Sequence, residues 1–337
     1  MAASPTFFPS SPPAPAHKHK HRQRKPEPSG TLRKRLDLPG AIVAMTAGSG
    51  VAYALANEPG SSGTVPLAIH PTTDIAHGAP LGGTSGHPTM IATTGGHLWV
   101  ADRNGDVMQL DPTSLSVVRD LSITGPVVGM DASADRIWVF TRDAAIGLDP
   151  SNGARLETIP TASDIMHGAA APDGEAIYVS LAGPVSNDKV PVLELNPSTG
   201  ALVARTRDGA ADLSGVSGLT ATNAGVWIAY ATGMMGSGNF ARRSDLRYHK
   251  SAEPPGWIEG TNAIQLFRAG PWIWQSSGGL ECFDPVTGKE LGLAVPDHKQ
   301  FFGLGDRGVV DVGQDVWAAN GRSLYVIEPP STCPHES

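Results

Sequence analysis

Residues 129–160 read GMDASADRIWVFTRDAAIGLDPSNGARLETIP. A small-residue strand, GMDASAD (129–135), runs into an apolar one carrying an aromatic, RIWVFT (136–141). A third strand ends in the turn GLDPSNGA (147–154), and ARLETIP (154–160) follows as a fourth. In that turn Asp149 caps backbone amides with its carboxylate, Pro150 fixes φ, and Gly153 supplies the positive φ at which the chain reverses.

The same unit recurs on both sides. Its second strand returns as HLWVAD (97–102), AIYVSL (176–181), GVWIAY (225–230), PWIWQS (271–276) and DVWAAN (315–320). The aligned positions are Trp99, Trp138, Tyr178, Trp227, Ile273 (between Trp272 and Trp274) and Trp317, spaced by 39, 40, 49, 46 and 44 residues. The turn returns as QLDPTSLS (109–116), ELNPSTGA (194–201) and CFDPVTGK (282–289). Short strands with frequent turns predict an all-β protein, and a four-stranded unit at this period predicts a β-propeller. The 40 Gly and 29 Pro exclude a helical bundle. The recurrent tryptophans are core residues packed between blades.

Closure sets the expected blade number. The sixth unit, VVDVGQDVWAANGRSLYVIEPP (309–330), holds three strands and needs an outer one. TVPLAI (64–69) is assigned to that place, giving six blades. Seven blades would need a degenerate unit within residues 64–94.

Charge divides the chain. Residues 1–37 carry eight Lys/Arg against Glu27 and Asp37, a net of +6, and the total of −7 leaves −13 on the other 300 residues. An acidic body argues against nucleic-acid binding, and the Pro-rich basic tail reads as disordered. Residues 38–56, LPGAIVAMTAGSGVAYALA, are 19 uncharged residues behind a basic flank. They read as a signal peptide cut after Ala56, or as a single membrane anchor if uncut. The expected organisation is therefore a tail (1–37), an export segment (38–56) and a propeller (57–337) outside the cytoplasm. Membrane contact would come only through 38–56. Cys282 and Cys333 are an even pair whose spacing matches no metal motif, and a disulfide is expected.

The turns resemble those of the YVTN and quinoprotein-like (PQQ-binding-like) propeller repeats of exported bacterial proteins. Quinoprotein dehydrogenases repeat a docking pattern, A-x-D-x-x-T-G-K-x-x-W. Asp284, Thr287, Gly288 and Lys289 match it, but Cys282 replaces the Ala and Gly292 the Trp. The resemblance thus implies the fold without a quinone, and no cofactor is expected. A fold-level resemblance to streptogramin lyase implies a second reading, a lyase or hydrolase acting on a small molecule in the funnel through a His base.

Candidate binding groups lie in the loops at the channel mouth: Arg103, Arg142, Asp143, His167, His298, Phe301 and Arg307. The irregular stretch 231–262 adds Arg242, Arg243, Tyr248 and Trp257 as cationic and aromatic groups for an anionic or glycan partner. His77, His167 and His298 are the candidates for a general base, although they show no metal-ligand spacing. Asp102, Asn104 and Asp106 mimic the start of a calcium loop, but Asn104-Gly105 reads as a hairpin turn. The leading expectation is a binding, sensory or scaffolding propeller for a protein, glycan or small ligand, and not an enzyme.

Overall fold

The computed structural model describes residues 29–333, apart from residue 73 and residues 83–86, 183–191, 207–215, 233–234, 244, 247, 250–264, 277–279, 288 and 295–307. The described residues form 28 strands in seven four-stranded antiparallel sheets. Strand β1 is Thr31–Asp37. Blade 1 is β2 (Ala41–Gly48), β3 (Val51–Asn57), β4 (Thr64–Ile69) and β5 (Ile75–His77). Blade 2 is β6 (Met90–Thr94), β7 (His97–Ala101), β8 (Asp106–Leu110) and β9 (Val117–Ser122). Blade 3 is β10 (Val127–Ala132), β11 (Ile137–Thr141), β12 (Ala144–Leu148) and β13 (Arg155–Pro160). Blade 4 is β14 (Ile165–Ala170), β15 (Ile177–Leu181), β16 (Val192–Leu195) and β17 (Leu202–Arg205). Blade 5 is β18 (Val216–Thr222), β19 (Gly225–Thr232), β20 (Met235–Arg242) and β21 (Tyr248–His249). Blade 6 is β22 (Gln265–Ala269), β23 (Trp272–Ser276), β24 (Leu280–Phe283) and β25 (Glu290–Leu293). Blade 7 is β26 (Val309–Val312), β27 (Asp315–Asn320) and β28 (Ser323–Glu328), closed by β1. Each innermost strand touches the next, and that of blade 7 touches that of blade 1, so the ring is complete. The fold is a seven-bladed β-propeller.

The repeat signature is visible in the packing. Trp99, Trp138, Trp227, Trp274 and Trp317 are all buried, as is Tyr178. Pairing puts Trp274 opposite Phe267 as Trp138 stands opposite Asp131, so Trp274, and not Ile273, continues the aromatic series. In each of the four Asp-Pro or Asn-Pro turns one side-chain oxygen collects the orphan amides. Asp149 Oδ1 accepts from the Ser151 amide at 2.8 Å and hydroxyl at 2.6 Å, and Asn196 Oδ1 accepts from Ser198 and Thr199 at 3.0 and 2.9 Å. Asp111 and Asp284 do the same. The Trp99 indole donates to Pro150 O at 3.0 Å, tying the second strand of blade 2 to the turn of blade 3.

Two expectations are corrected at the N-terminal side. Seven blades replace six, and TVPLAI is β4, the third strand of blade 1, while the closing strand is TLRKRLD (31–37). Residues 38–56, expected as a signal peptide or anchor, form the buried hairpin β2–β3. Its apolar run has a different cause. Strands near a propeller axis are covered by blades on both faces, so Ala52, Ala54, Leu55 and Ala56 are all fully buried and the usual alternation disappears. Ser49 and Gly50, at φ +53° and +74°, supply the two positive φ values of a type I′ hairpin turn. Among the described residues no helix is long and apolar enough to cross a membrane.

The tail expected to be disordered to residue 37 instead ends in β1, where Arg33 pairs with Asp315 at 3.3 Å and Glu328 at 3.4 Å. Both ends of the described chain are also fastened to blade 6. The Gly30 amide donates to Leu293 O at 2.8 Å, Thr332 Oγ1 donates to Leu291 O at 2.6 Å, and Cys333 is disulfide-bonded to Cys282.

Candidate functional site

The inner strands surround a cavity of about 390 Å³ on the ring axis. Pairing with the second strands puts these inner residues in register. One level comprises Thr46, Ala92, Asp131, Ala169, Thr220, Phe267 and Val310; the next comprises Ala47, Thr93, Ala132, Ala170, Ala221, Arg268 and Asp311. Small residues dominate because seven strands converge there. Asp131, Arg268 and Asp311 depart from that rule and are the charged side chains among the described residues lining the cavity.

Polar side chains stitch neighbouring inner strands together. Thr93 Oγ1 donates to Ala47 O at 2.7 Å, Thr220 Oγ1 to Leu266 O at 2.8 Å, and Arg268 Nη1 to Ala221 O at 3.2 Å. Asp131 Oδ2 accepts from the Ala170 amide at 2.9 Å and Oδ1 from the Ala132 amide at 2.8 Å. Burial pushes the Asp131 carboxyl up, while Arg268 and the two amides pull against that shift.

The loop candidates divide between the two faces of the ring. Arg103 and Arg142–Asp143 occupy turns between second and third strands, and all three are exposed. Their carbonyls hold the next blade: Arg103 O accepts from Val127 N, and Arg142 O from Ile165 N. His167, on β14 beside this face, donates from Nε2 to Val216 O at 3.0 Å, and burial lowers its pKa against the pull of that hydrogen bond.

Arg242 and Arg243 lie on the opposite face. Arg242 pairs with Asp245 at 2.6 Å. Arg243 reaches from blade 5 to blade 4, with Asp173 at 2.8 Å, Glu175 at 3.2 Å and the buried Glu194 at 3.8 Å. Tyr178 belongs to the same seam, and burial, reinforced by Glu194, raises its hydroxyl pKa well above the usual range. Arg243 is thus an inter-blade tie.

Of the candidate bases, the two that are described, His77 and His167, lie apart. His77 ends β5 on the perimeter, with Nδ1 3.2 Å from Glu58, whereas His167 lies on the inner strand of blade 4. Among the described residues no group of three or more His, Cys, Asp or Glu could hold a metal. Asp102 Oδ1 accepts the amides of Asn104, Gly105 and Asp106, so this segment is a capped hairpin turn. Trp257, His298, Phe301 and Arg307 lie outside the described residues, and Tyr248 is described only as backbone paired with Ala241.

The sequence reading missed Asp131, Arg268 and Asp311. GMDASAD was read only as a small-residue strand, although a carboxylate at the centre of such a strand was itself a signal. It also missed an apolar rim. Val117 and Val118 on β9, Leu156 on β13, and Leu202 and Val203 on β17 are 44–56% exposed, at the starts of the outer strands of three consecutive blades.

No protein-family model and no curated protein matches the chain. Solved structures do. Hydrazine synthase of Kuenenia stuttgartiensis aligns with a TM-score of 0.59 at 12% identity, over 89% of this chain and 98% of that one. The β-propeller domain of Myceliophteria thermophila Cps50 (Swd1) aligns with a TM-score of 0.59 at 10% identity, over 89% and 99%. Identities this low establish the propeller fold alone.

Proposed function

We propose that this propeller is a binding and scaffolding module for a protein partner, working in an extracytoplasmic, oxidising compartment. The observation that carries the reading is the apolar rim on blades 2–4. Five aliphatic side chains stand in water at the start of adjacent outer strands, beside edges that no further strand among the described residues covers. A rigid ring with a preformed apolar rim binds without paying for loop ordering. The Cys282–Cys333 disulfide supports the compartment, since such bonds persist where thiols oxidise.

The test is affinity capture with the wild-type chain and a Val118→Glu/Leu202→Glu/Val203→Glu variant, alongside their melting curves. A specific protein captured by the wild type and lost from a variant of unchanged melting temperature supports the proposal. Identical captured sets would refute it. Alkylation of denatured, unreduced protein from its native compartment should find no free thiol, and two free thiols would remove the oxidising assignment.

A further inference from the structure

The channel carries an inference of its own, independent of the rim. Around the level below the aromatics the inner strands offer Ala or Thr five times in seven, which leaves space on the axis, and then place Arg268 and Asp311 side by side on blades 6 and 7. Asp131 projects from blade 3 one level away. The charged ends are held where they are. The Asp131 carboxylate is clamped by the Ala170 amide of blade 4, and the Arg268 guanidinium by the Ala221 carbonyl of blade 5. Ala170 and Ala221 are equivalent positions of neighbouring blades. A half-buried anion and a half-buried cation, each held by a neighbouring strand, thus face the same small cavity.

Among the described residues no ion pair within 4 Å joins Asp131 to Arg268. Each keeps hydrogen-bonding capacity beyond its backbone clamp: a carboxylate oxygen has a second lone pair, and a guanidinium has five donors. A lone anion would meet Asp131, and a lone cation would meet Arg268. A molecule carrying both charges a few bonds apart satisfies both, with its ammonium toward the carboxylate and its carboxylate toward the guanidinium fork. The walls combine Ala, Gly and Thr with larger apolar residues, among them Met45, Met130, Leu219 and Phe267, and so offer an apolar lining to a side chain. The geometry points to a binding site for a small zwitterion of the α-amino-acid class on the propeller axis, with Arg268 reading its carboxylate and Asp131 its ammonium.

The experiment is calorimetric titration of the full chain with each of the twenty L-α-amino acids, and with acetate and methylammonium as half-ligands. At least one amino acid should bind with a stoichiometry of one, and both half-ligands should bind at least tenfold more weakly. Arg268→Gln should weaken that binding tenfold or more, and Arg268→Lys by less, because the charge is retained while the fork is lost. Asp131→Asn keeps an acceptor for the Ala170 amide and should also abolish tight binding. If that variant fails to fold, the half-ligand comparison on the wild type and the Arg268 pair still decide. Absence of binding by every amino acid at millimolar concentration would overturn the proposal, as would equal binding of acetate alone or binding unaffected by Arg268→Gln. None of these outcomes changes the capture result at the rim, so the two proposals fail separately.

Discussion

Blade 3 and blade 1 have the same four-stranded architecture and nearly opposite legibility. Blade 3 carries its tryptophan, its Asp-Pro turn and its glycine in plain view. Blade 1 has Tyr53 where Trp138 stands, and its turn between third and fourth strands reads His70-Pro71-Thr72, without the capping aspartate. The geometry survives the loss: Tyr53 is 6% exposed and pairs with Thr46 and Ala68, and His70 N still closes the turn by donating to Asp74 O at 3.0 Å. The ring supplies what the local sequence lacks. An inner hairpin squeezed between two blades needs apolar bulk and a tight turn, and 41–57 offers both.

The largest expected effect tests that equivalence. Trp138→Ala and Tyr53→Ala each empty a buried inter-blade site and should each cost about 3–5 kcal/mol by chemical denaturation. A Tyr53→Ala variant as stable as wild type would remove blade 1 from the ring. Next comes the link that fastens the C-terminal segment to blade 6. Replacing both Cys282 and Cys333 by Ser opens a cross-link spanning 51 residues, which should cost about 4 kcal/mol in the chain-entropy model. The loss should appear equally on adding reductant to the wild type.

The turn of blade 3 gives a smaller effect. Gly153 has φ +70°, and a Cβ there would stand 2.8 Å from Leu121 and 2.9 Å from Trp99, so Gly153→Ala should cost about 1–3 kcal/mol. The corresponding position in blade 2 is Leu115, at φ +56°, whose side chain is buried in the seam between blades 1 and 2. Leu115→Gly relieves the backbone but deletes that core contact, and the contact should win, with a net loss of stability.

The smallest effect concerns pH. Hydrogen bonds from Ser151, side chain first and amide second, hold the Asp149 carboxyl below the usual range; the Ser114 and Thr113 amides and the Ser114 hydroxyl do so for Asp111. A depressed folded pKa contributes stability that is present above the unfolded value and lost as pH falls through the folded one. The melting temperature should therefore fall below about pH 4. Asp111→Asn/Asp149→Asn should flatten that decline, since Asn196 already caps the blade 4 turn without a charge. An unchanged acid profile would count against the caps.

These contrasts explain what could be read in advance. The propeller was legible because the tryptophan strand and proline turn are local devices repeated in register. The blade number was not, because the first blade kept the geometry and lost the devices. Even so, Tyr53 lies 46 residues before Trp99, within the spacing of the series, and Gly48-Ser49-Gly50 marks a hairpin turn. An uncharged run behind basic residues has the same composition whether it enters a membrane or a double-faced blade. The closing strand was hidden by its charge: Arg33 and Arg35 belong to an exposed outer strand, where basic residues find acidic partners and the Tyr325 ring. The channel charges were hidden because Asp131 and Arg268 lie far apart in sequence and meet only when seven strands converge.

The central claim is that residues 31–56 are structural members of the ring. Its most direct test is differential scanning calorimetry of the full chain beside a chain beginning at residue 57. The account predicts one cooperative transition for the full chain and none for the shorter one, which lacks the closing strand and the inner hairpin of blade 1. A shorter chain melting cooperatively within about 2 °C of the full one, a difference of about 1 kcal/mol for a domain this size, would contradict it.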